Sequence, residues 1–447
     1  MVIAANEKDQ RQLKASLLLD AMGDLKLDAL TPGDGDFVFG VDFLVDGATQ
    51  HGLPYVSANL KRTSGELLFP ASRVVERRGL KIGITGVTGQ KLTPKGLVSG
   101  SVKDALQPVV NSLRENGVDL VVVLSHQGIP ETEALLGEVS GVDLVFAAHD
   151  RSFQIEPVVA GSAAIFQAGS RGKYLGEIDV QLLEGHSGWS NEAGRKKVLR
   201  RKATLERQLA RYQQQLQDNP DERSQARAER ALAQVERQLG LLVVPPPADG
   251  KQHIVSGKKV AMDRNVADEP AMAKKVEAVL EQLGDSLDPH AGHNHGHAGH
   301  NHGPGGHGKS AAAHRQSMTP SNGPYVGAQI CAGCHPSEYA DWSKSAHAKA
   351  YATLVADKRQ FDQDCWSCHV TGAGQPGGPA HPKAVGMLRN VQCESCHGPG
   401  RKHIGNPAAF DMRKEVPEKL CVTCHDKEQT EGRFVYDTYL PKIDHKP

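Results

Sequence analysis

The sequence has no surplus of charge: 52 Lys and Arg face 52 Asp and Glu over 447 residues. Without a basic excess there is no general attraction to polyanions, and no nucleic-acid partner is expected. No apolar run reaches membrane-spanning length, which argues against an integral membrane protein. Met1 to Gln10 lacks the apolar stretch of a signal peptide. Aromatic residues are scarce at 5%, whereas Gly (47) and Pro (25) are plentiful, too few large rings to fill an ordinary core throughout. Finally, no cysteine is spare. All eight fall in four short motifs of one form.

Those motifs are Cys331-Ala-Gly-Cys334-His335, Cys365-Trp-Ser-Cys368-His369, Cys393-Glu-Ser-Cys396-His397 and Cys421-Val-Thr-Cys424-His425. Cys-x-x-Cys-His is the attachment pattern of a c-type haem. Two thiols three positions apart can add to the two vinyl groups of one porphyrin, and the following His reaches the iron as proximal ligand. Zinc also uses Cys-x-x-Cys pairs, but has no need of a His after every pair. Four c-type haems are therefore expected. The motif starts are 34, 28 and 28 residues apart, so neighbouring haems must lie close. Such haem is attached outside the cytoplasmic membrane, so a periplasmic or other extracytoplasmic location is expected, with Met1 read as an internal start or a processed end.

Ahead of the motifs, residues 11–30 read as a helix with Leu13, Leu17, Leu18, Met22 and Leu25 on one face. Short apolar runs at Lys81–Val87, Leu120–Leu124 and Leu144–Ala147 alternate with helical stretches at Ala105–Glu115 and Glu131–Val139. Further strand-like runs follow at Ile155–Val159, Ala163–Ala168 and Leu175–Leu182. Alternating strands and helices predict a layered α/β sheet. From 191 to 242, apolar residues recur at helical spacing on both sides of Asp218-Asn219-Pro220-Asp221, which predicts an antiparallel helical hairpin, a coiled coil in character. Its Arg and Gln faces read as solvated surface.

Five segments result: an α/β domain (1–190), the hairpin (191–242), a return segment with a helix (243–287), a His/Gly-rich linker (288–322) and a haem domain (323–447). In the linker, His290, His293, His295, His297, His300, His302, His307 and His314 stand among Gly and Asn. Imidazoles at that density are expected to bind zinc, nickel or copper weakly.

Two resemblances sharpen this reading. Residues 11–185 resemble the metallophosphoesterase domain of the 5′-nucleotidase family, on Ser57-Ala58-Asn59, Gly79–Thr88, Leu124-Ser125-His126-Gln127-Gly128, Val142-Asp143-Leu144 leading to His149, and Gln167-Ala168-Gly169-Ser170. The family's Asp-x-His and Gly-Asp-x-x-Asp segments are not in this chain. Its Gly-Asn-His-Glu falls on Gly33-Asp34-Gly35-Asp36, and its closing Gly-His-x-His on Ala148-His149-Asp150-Arg151. Of the two-metal set only His126 and His149 survive, so the domain is expected to be a scaffold without hydrolysis. A single metal or a small anion near His126, His149 and Arg151 is the alternative.

From Gly323 onward the chain resembles the four-haem cytochrome family of hydroxylamine oxidation, the cytochrome c-554 type. The matching residues are Tyr325-Val326-Gly327, Trp342 through Ala350, Asp364 through Val370, Thr371-Gly372, Gly377-Gly378 and Cys393 through Gly400. The resemblance implies a mainly α domain in which three haems carry two His and one keeps an open iron position. His347, His403 and His445 are the expected distal ligands, with His381 a fourth candidate and the second motif the expected open site. No catalytic residue is assigned. The expected function is electron transfer between redox protein partners. The alternatives are a reductase of small nitrogen compounds at an open haem, and a metal-dependent phosphoesterase with an accessory cytochrome domain.

Overall fold

The computed structural model describes residues 5–150, 152–190, 192–218, 221–240, 242, 244, 247, 250–263, 265–285, 323–430 and 432–445. The chain forms two compact units, residues 19–267 and residues 1–18 together with 268–447. In chain order its helices are α1 (Ala5–Asp24), α2 (Val41–Gln50), α3 (Val102–Glu115), α4 (Ile129–Leu136), α5 (Glu192–Asp218), α6 (Glu222–Gly240) and α7 (Pro270–Asp285). Then come α8 (Ala328–Cys331), α9 (Pro336–Lys344), α10 (Ala350–Ala356), α11 (Gln363–His369), α12 (Cys393–His397), α13 (Arg401–Gly405), α14 (Glu418–Cys421), α15 (Lys427–Thr430) and α16 (Tyr436–Tyr439). The strands are β1 (Leu60–Arg62), β2 (Ser72–Arg77), β3 (Leu80–Thr88), β4 (Leu97–Ser99), β5 (Leu120–His126), β6 (Leu144–Ala148), β7 (Phe153–Ala160), β8 (Ala163–Ala168), β9 (Tyr174–Gln181), β10 (Trp189–Ser190) and β11 (His253–Ala261).

The first unit is built on a six-stranded sheet of order β2-β3-β5-β6-β8-β7. The pairings β3–β5, β5–β6 and β6–β8 are parallel, and the edges β2 and β7 run antiparallel. The parallel strands are buried on both faces, which is why they read as continuous apolar runs. Alternate side chains feed two cores. Val121, Val123, Val145 and Ile165 pack with Leu106, Val110 and Leu113 of α3. Leu120, Val122, Leu144, Ala164 and Phe166 pack on the other face with Trp189 and Val255.

A second sheet, β10-β11-β9, carries the helical hairpin. α5 and α6 lie between β10 and β11 in the chain and bury Leu205, Ala228 and Val235 against one another. The return strand β11 escaped the sequence reading because Ser256-Gly257-Lys258-Lys259 breaks its apolar pattern. It nevertheless pairs with β9 from Ile254 to Ala261.

α1 also departs from expectation. It ends at Asp24, not near 30, because Lys26 adopts a left-handed φ of 49°, a conformation that terminates a helix. Its buried leucine is Leu19, 6% exposed, whereas Leu18 is 62% exposed. Residues 5–18, expected with the α/β domain, group with the unit that carries the four motifs.

From residue 323 on, that unit consists of short helices and loops. Its apolar cluster holds six buried residues, Tyr351, Leu354, Trp366, Val370, Ala373 and Val385, against fifteen in the main sheet cluster. Hydrogen bonds to buried polar side chains do much of the holding. The Glu394 carboxylate, 2% exposed, accepts from the backbone N–H groups of Val326 (3.0 Å), Gly327 (2.8 Å) and Gly400 (2.7 Å). Gln392 accepts from Ala328 N–H and donates to the carbonyls of Met387 and Arg389. The third motif is thereby tied to the segment that leads into the first. Two glycines are required here. Gly372 has φ +68° against the Tyr325 ring, and a Cβ on Gly378 would lie 1.8 Å from the Gly372 carbonyl oxygen. Glu394→Gln should cost about 2–3 kcal/mol in denaturant unfolding, because its amide nitrogen would face backbone donors that need an acceptor.

Candidate haem and metal sites

Each motif opens on or just after a short helix, so its two thiols and its imidazole project from consecutive turns. None of the eight cysteines forms a disulfide. The Cys331 and Cys393 thiols adjoin each other, which raises the first and lowers the second; Cys424 and Cys368 are related in the same way. The first motif therefore adjoins the third, and the second adjoins the fourth.

The imidazoles are arranged in pairs. His335 faces His403 with ring centroids 6.4 Å apart, His397 faces His445 at 5.6 Å, and His425 faces His347 at 6.0 Å. A metal–imidazole bond of about 2 Å on either side of one ion would separate two such centroids by roughly 6 Å. In every pair one ring comes from a motif and the other is one of the three expected distal residues. His369 of the second motif has no facing imidazole among the described residues. His381 also has none among them, and its Nδ1 is buried without a hydrogen-bond partner there.

Several rings are oriented with one nitrogen left over. Nδ1 of His369 lies 2.6 Å from the Ala350 carbonyl, Nδ1 of His397 lies 2.5 Å from that of Arg413, and Nδ1 of His403 lies 2.8 Å from that of Phe410. A carbonyl only accepts, so each Nδ1 carries a proton and Nε2 is the ring nitrogen left to meet a metal. Burial, and then the neighbouring His425, hold His347 below the ordinary imidazole value. Phe434 stacks on His425 at 5.0 Å. The donor set of two thiols and one or two imidazoles at each motif fits a c-type haem, and the thin apolar core leaves it a structural part to play.

The α/β unit holds a second cluster. Asp34 opens a short turn ahead of α2, His126 ends β5, and His149 follows β6, which places all three along the carboxyl edge of the parallel strands. His126 Nε2 is 2.8 Å and His149 Nδ1 3.7 Å from Asp34 Oδ1. One ligand atom from each lies within 4.8 Å of the others. A Cβ at Gly33 would strike the His126 ring at 2.6 Å, so glycine is needed for the approach. Burial alone would raise the Asp34 carboxyl; the hydrogen bond from His126 and the charges of His126 and His149 outweigh it and hold it below the usual range. His149 sits at φ 98°. The sequence reading counted Asp34 as a lost ligand, yet its carboxylate occupies the cluster. Arg151 and the His-rich tract 288–314 lie outside the described residues.

Comparison with known proteins agrees with this division. Residues 330–398 match the family described as Cytochrome c554 and c-prime. Cytochrome c-554 of Nitrosomonas europaea is 32% identical over 89 residues, 17% of this chain and 38% of that protein. Mouse 5′-nucleotidase is 30% identical over 193 residues, 36% of this chain and 33% of that protein. A 5′-nucleotidase precursor structure from Thermus thermophilus aligns with 18% identity and a TM-score of 0.42, covering 61% of this chain and 46% of that one. The chain thus spans little more than a third of these curated relatives. It combines a 5′-nucleotidase-like α/β part with a cytochrome c-554-like part, a multidomain arrangement to which c-type haem belongs. No helix among the described residues is long and apolar enough to cross a membrane.

Proposed function

We propose that this chain is an exported multihaem c-type cytochrome that carries electrons between redox protein partners through four covalently bound haems. The observation that supports it most is the pairing of motif histidines with histidines distant in sequence, at the separation two axial ligands of one iron require. Haem supplies reversible one-electron iron chemistry at each motif. The chain's residues do the rest. The paired thiols of each motif hold a porphyrin by two thioether bonds. His335/His403, His397/His445 and His425/His347 supply two imidazoles each. The backbone carbonyls of Ala350, Arg413 and Phe410 fix ring orientation. The contacts Cys331–Cys393 and Cys368–Cys424 favour close haem neighbours in the order first–third and second–fourth. Titration of the holoprotein with a reductant should take up four electrons per chain; an uptake of one or none would refute the proposal.

Two further readings each have one supporting observation. The absence of an imidazole facing His369 among the described residues favours an open position at the second motif, suited to reduction of a small nitrogen compound such as nitric oxide or hydroxylamine. The cluster Asp34–His126–His149 favours a single divalent ion in the α/β unit. Under that second reading zinc titration of His126→Ala should show one equivalent fewer than the unaltered chain, and equal stoichiometry would remove it. Nucleotide hydrolysis with added manganese is expected to stay at background, because three donors do not provide the two-ion clamp of phosphoester hydrolysis.

A further inference from the structure

The start of α1 lies far in sequence from every motif, and its pattern suggested only the first helix of the α/β domain. Its contacts point elsewhere. Gln10 is 1% exposed. Its Nε2 donates to the carbonyls of Leu283 (3.1 Å) and Phe361 (3.0 Å), and its Oε1 accepts from Gln363 N–H (3.3 Å). One turn later, Lys14 Nζ lies 2.5 Å from Asp362 Oδ1 and 2.7 Å from Asp364 Oδ2. Residues 361–364 lead directly into Cys365.

Asp362 caps the helix that carries the second motif. Its side chain, 2% exposed, accepts from Asp364 N–H, and its carbonyl accepts from the N–H groups of Cys365 (3.1 Å) and Trp366 (3.2 Å). Arg359, 3.2 Å away and 45% exposed, is the other cation on this carboxylate among the described residues. Without Lys14, a buried anion would stand one helical turn from the first thiol with a single, half-exposed countercharge.

Resting on the reading of Cys365-Trp366-Ser367-Cys368-His369 as a haem site with one imidazole, we propose that Gln10 and Lys14 are positioning residues of that site, and that Lys14 raises the reduction potential of its haem. Gln10 fixes the approach of α11 through neutral hydrogen bonds. Lys14 adds a positive charge beside a poorly hydrated group, where Coulomb interactions are weakly screened. A positive charge there favours the ferrous over the ferric state.

The test uses the full-length holoprotein and potentiometric titration of the high-spin signal, the spectroscopic mark of a haem with one imidazole. Lys14→Met should move that midpoint to more negative values by roughly 59 mV, a tenfold change in the one-electron equilibrium, with the other three unmoved. Lys14→Arg should restore it. Asp364→Asn, at a residue whose side chain is 56% exposed, should move it the opposite way without disturbing the fold. Opposite shifts confined to one haem support the proposal. An unchanged midpoint in both variants, or an equal drift of all four haems, overturns it while leaving the haem reading intact. Free Cys365 and Cys368 thiols in the unaltered holoprotein would overturn the haem reading itself.

Discussion

Replacing His445, His403 or His347 by alanine should convert one haem of four from low spin to high spin and leave the other three as they were. Each of these rings faces a motif imidazole at 5.6–6.4 Å. Under the proposed ligation, loss of the ring would remove a sixth ligand without touching the thiols that would anchor the porphyrin. Carbon monoxide added to the reduced protein should then bind two equivalents per chain instead of one. Imidazole in solution should restore the low-spin spectrum by entering the vacated position, which a misfolded variant would not allow. His445 is the cleanest case, because it lies at the end of the described chain and caps no element of the core. A spectrum unaltered by all three substitutions would show that these rings are not ligands.

The second large effect concerns the second motif, which has no facing imidazole among the described residues. Cys365→Ser combined with Cys368→Ser should abolish binding of carbon monoxide and of nitric oxide and remove the high-spin signal, while three low-spin haems remain. The same pair of substitutions in the third motif, at Cys393 and Cys396, should delete a low-spin haem and preserve gas binding. Gas binding that survives the first pair would place the open position at another motif. The asymmetry follows from His369, whose Nδ1–H is held by the Ala350 carbonyl and whose Nε2 has no imidazole across from it among the described residues.

How much of this was legible in the sequence depended on how local the chemistry is. Covalent haem attachment needs two thiols and a His within five consecutive residues, so the motifs could be read directly. The parallel strands were legible for a similar reason: burial on both faces leaves an apolar run such as Leu120–Leu124. The pairing of motif histidines with distant histidines was not legible. His347 lies before three of the motifs, yet faces His425 of the last one, and no periodicity encodes a contact made across a folded domain. β11 was missed because its strand character comes from backbone pairing with β9 rather than from apolar side chains. Asp34 was discounted because its position was judged by residue type alone; the structure brings its carboxylate within 2.8 Å of His126. The role of Gln10 and Lys14 was equally hidden, since partners some 350 residues away leave no trace in the local pattern.

The most direct measurement is the intact mass, under denaturing conditions, of the protein purified from a host competent for cytochrome maturation. Four haem masses above that of the polypeptide, with no thiol left to alkylate, is the predicted result. A mass equal to the bare polypeptide, with eight alkylatable cysteines, would contradict the account.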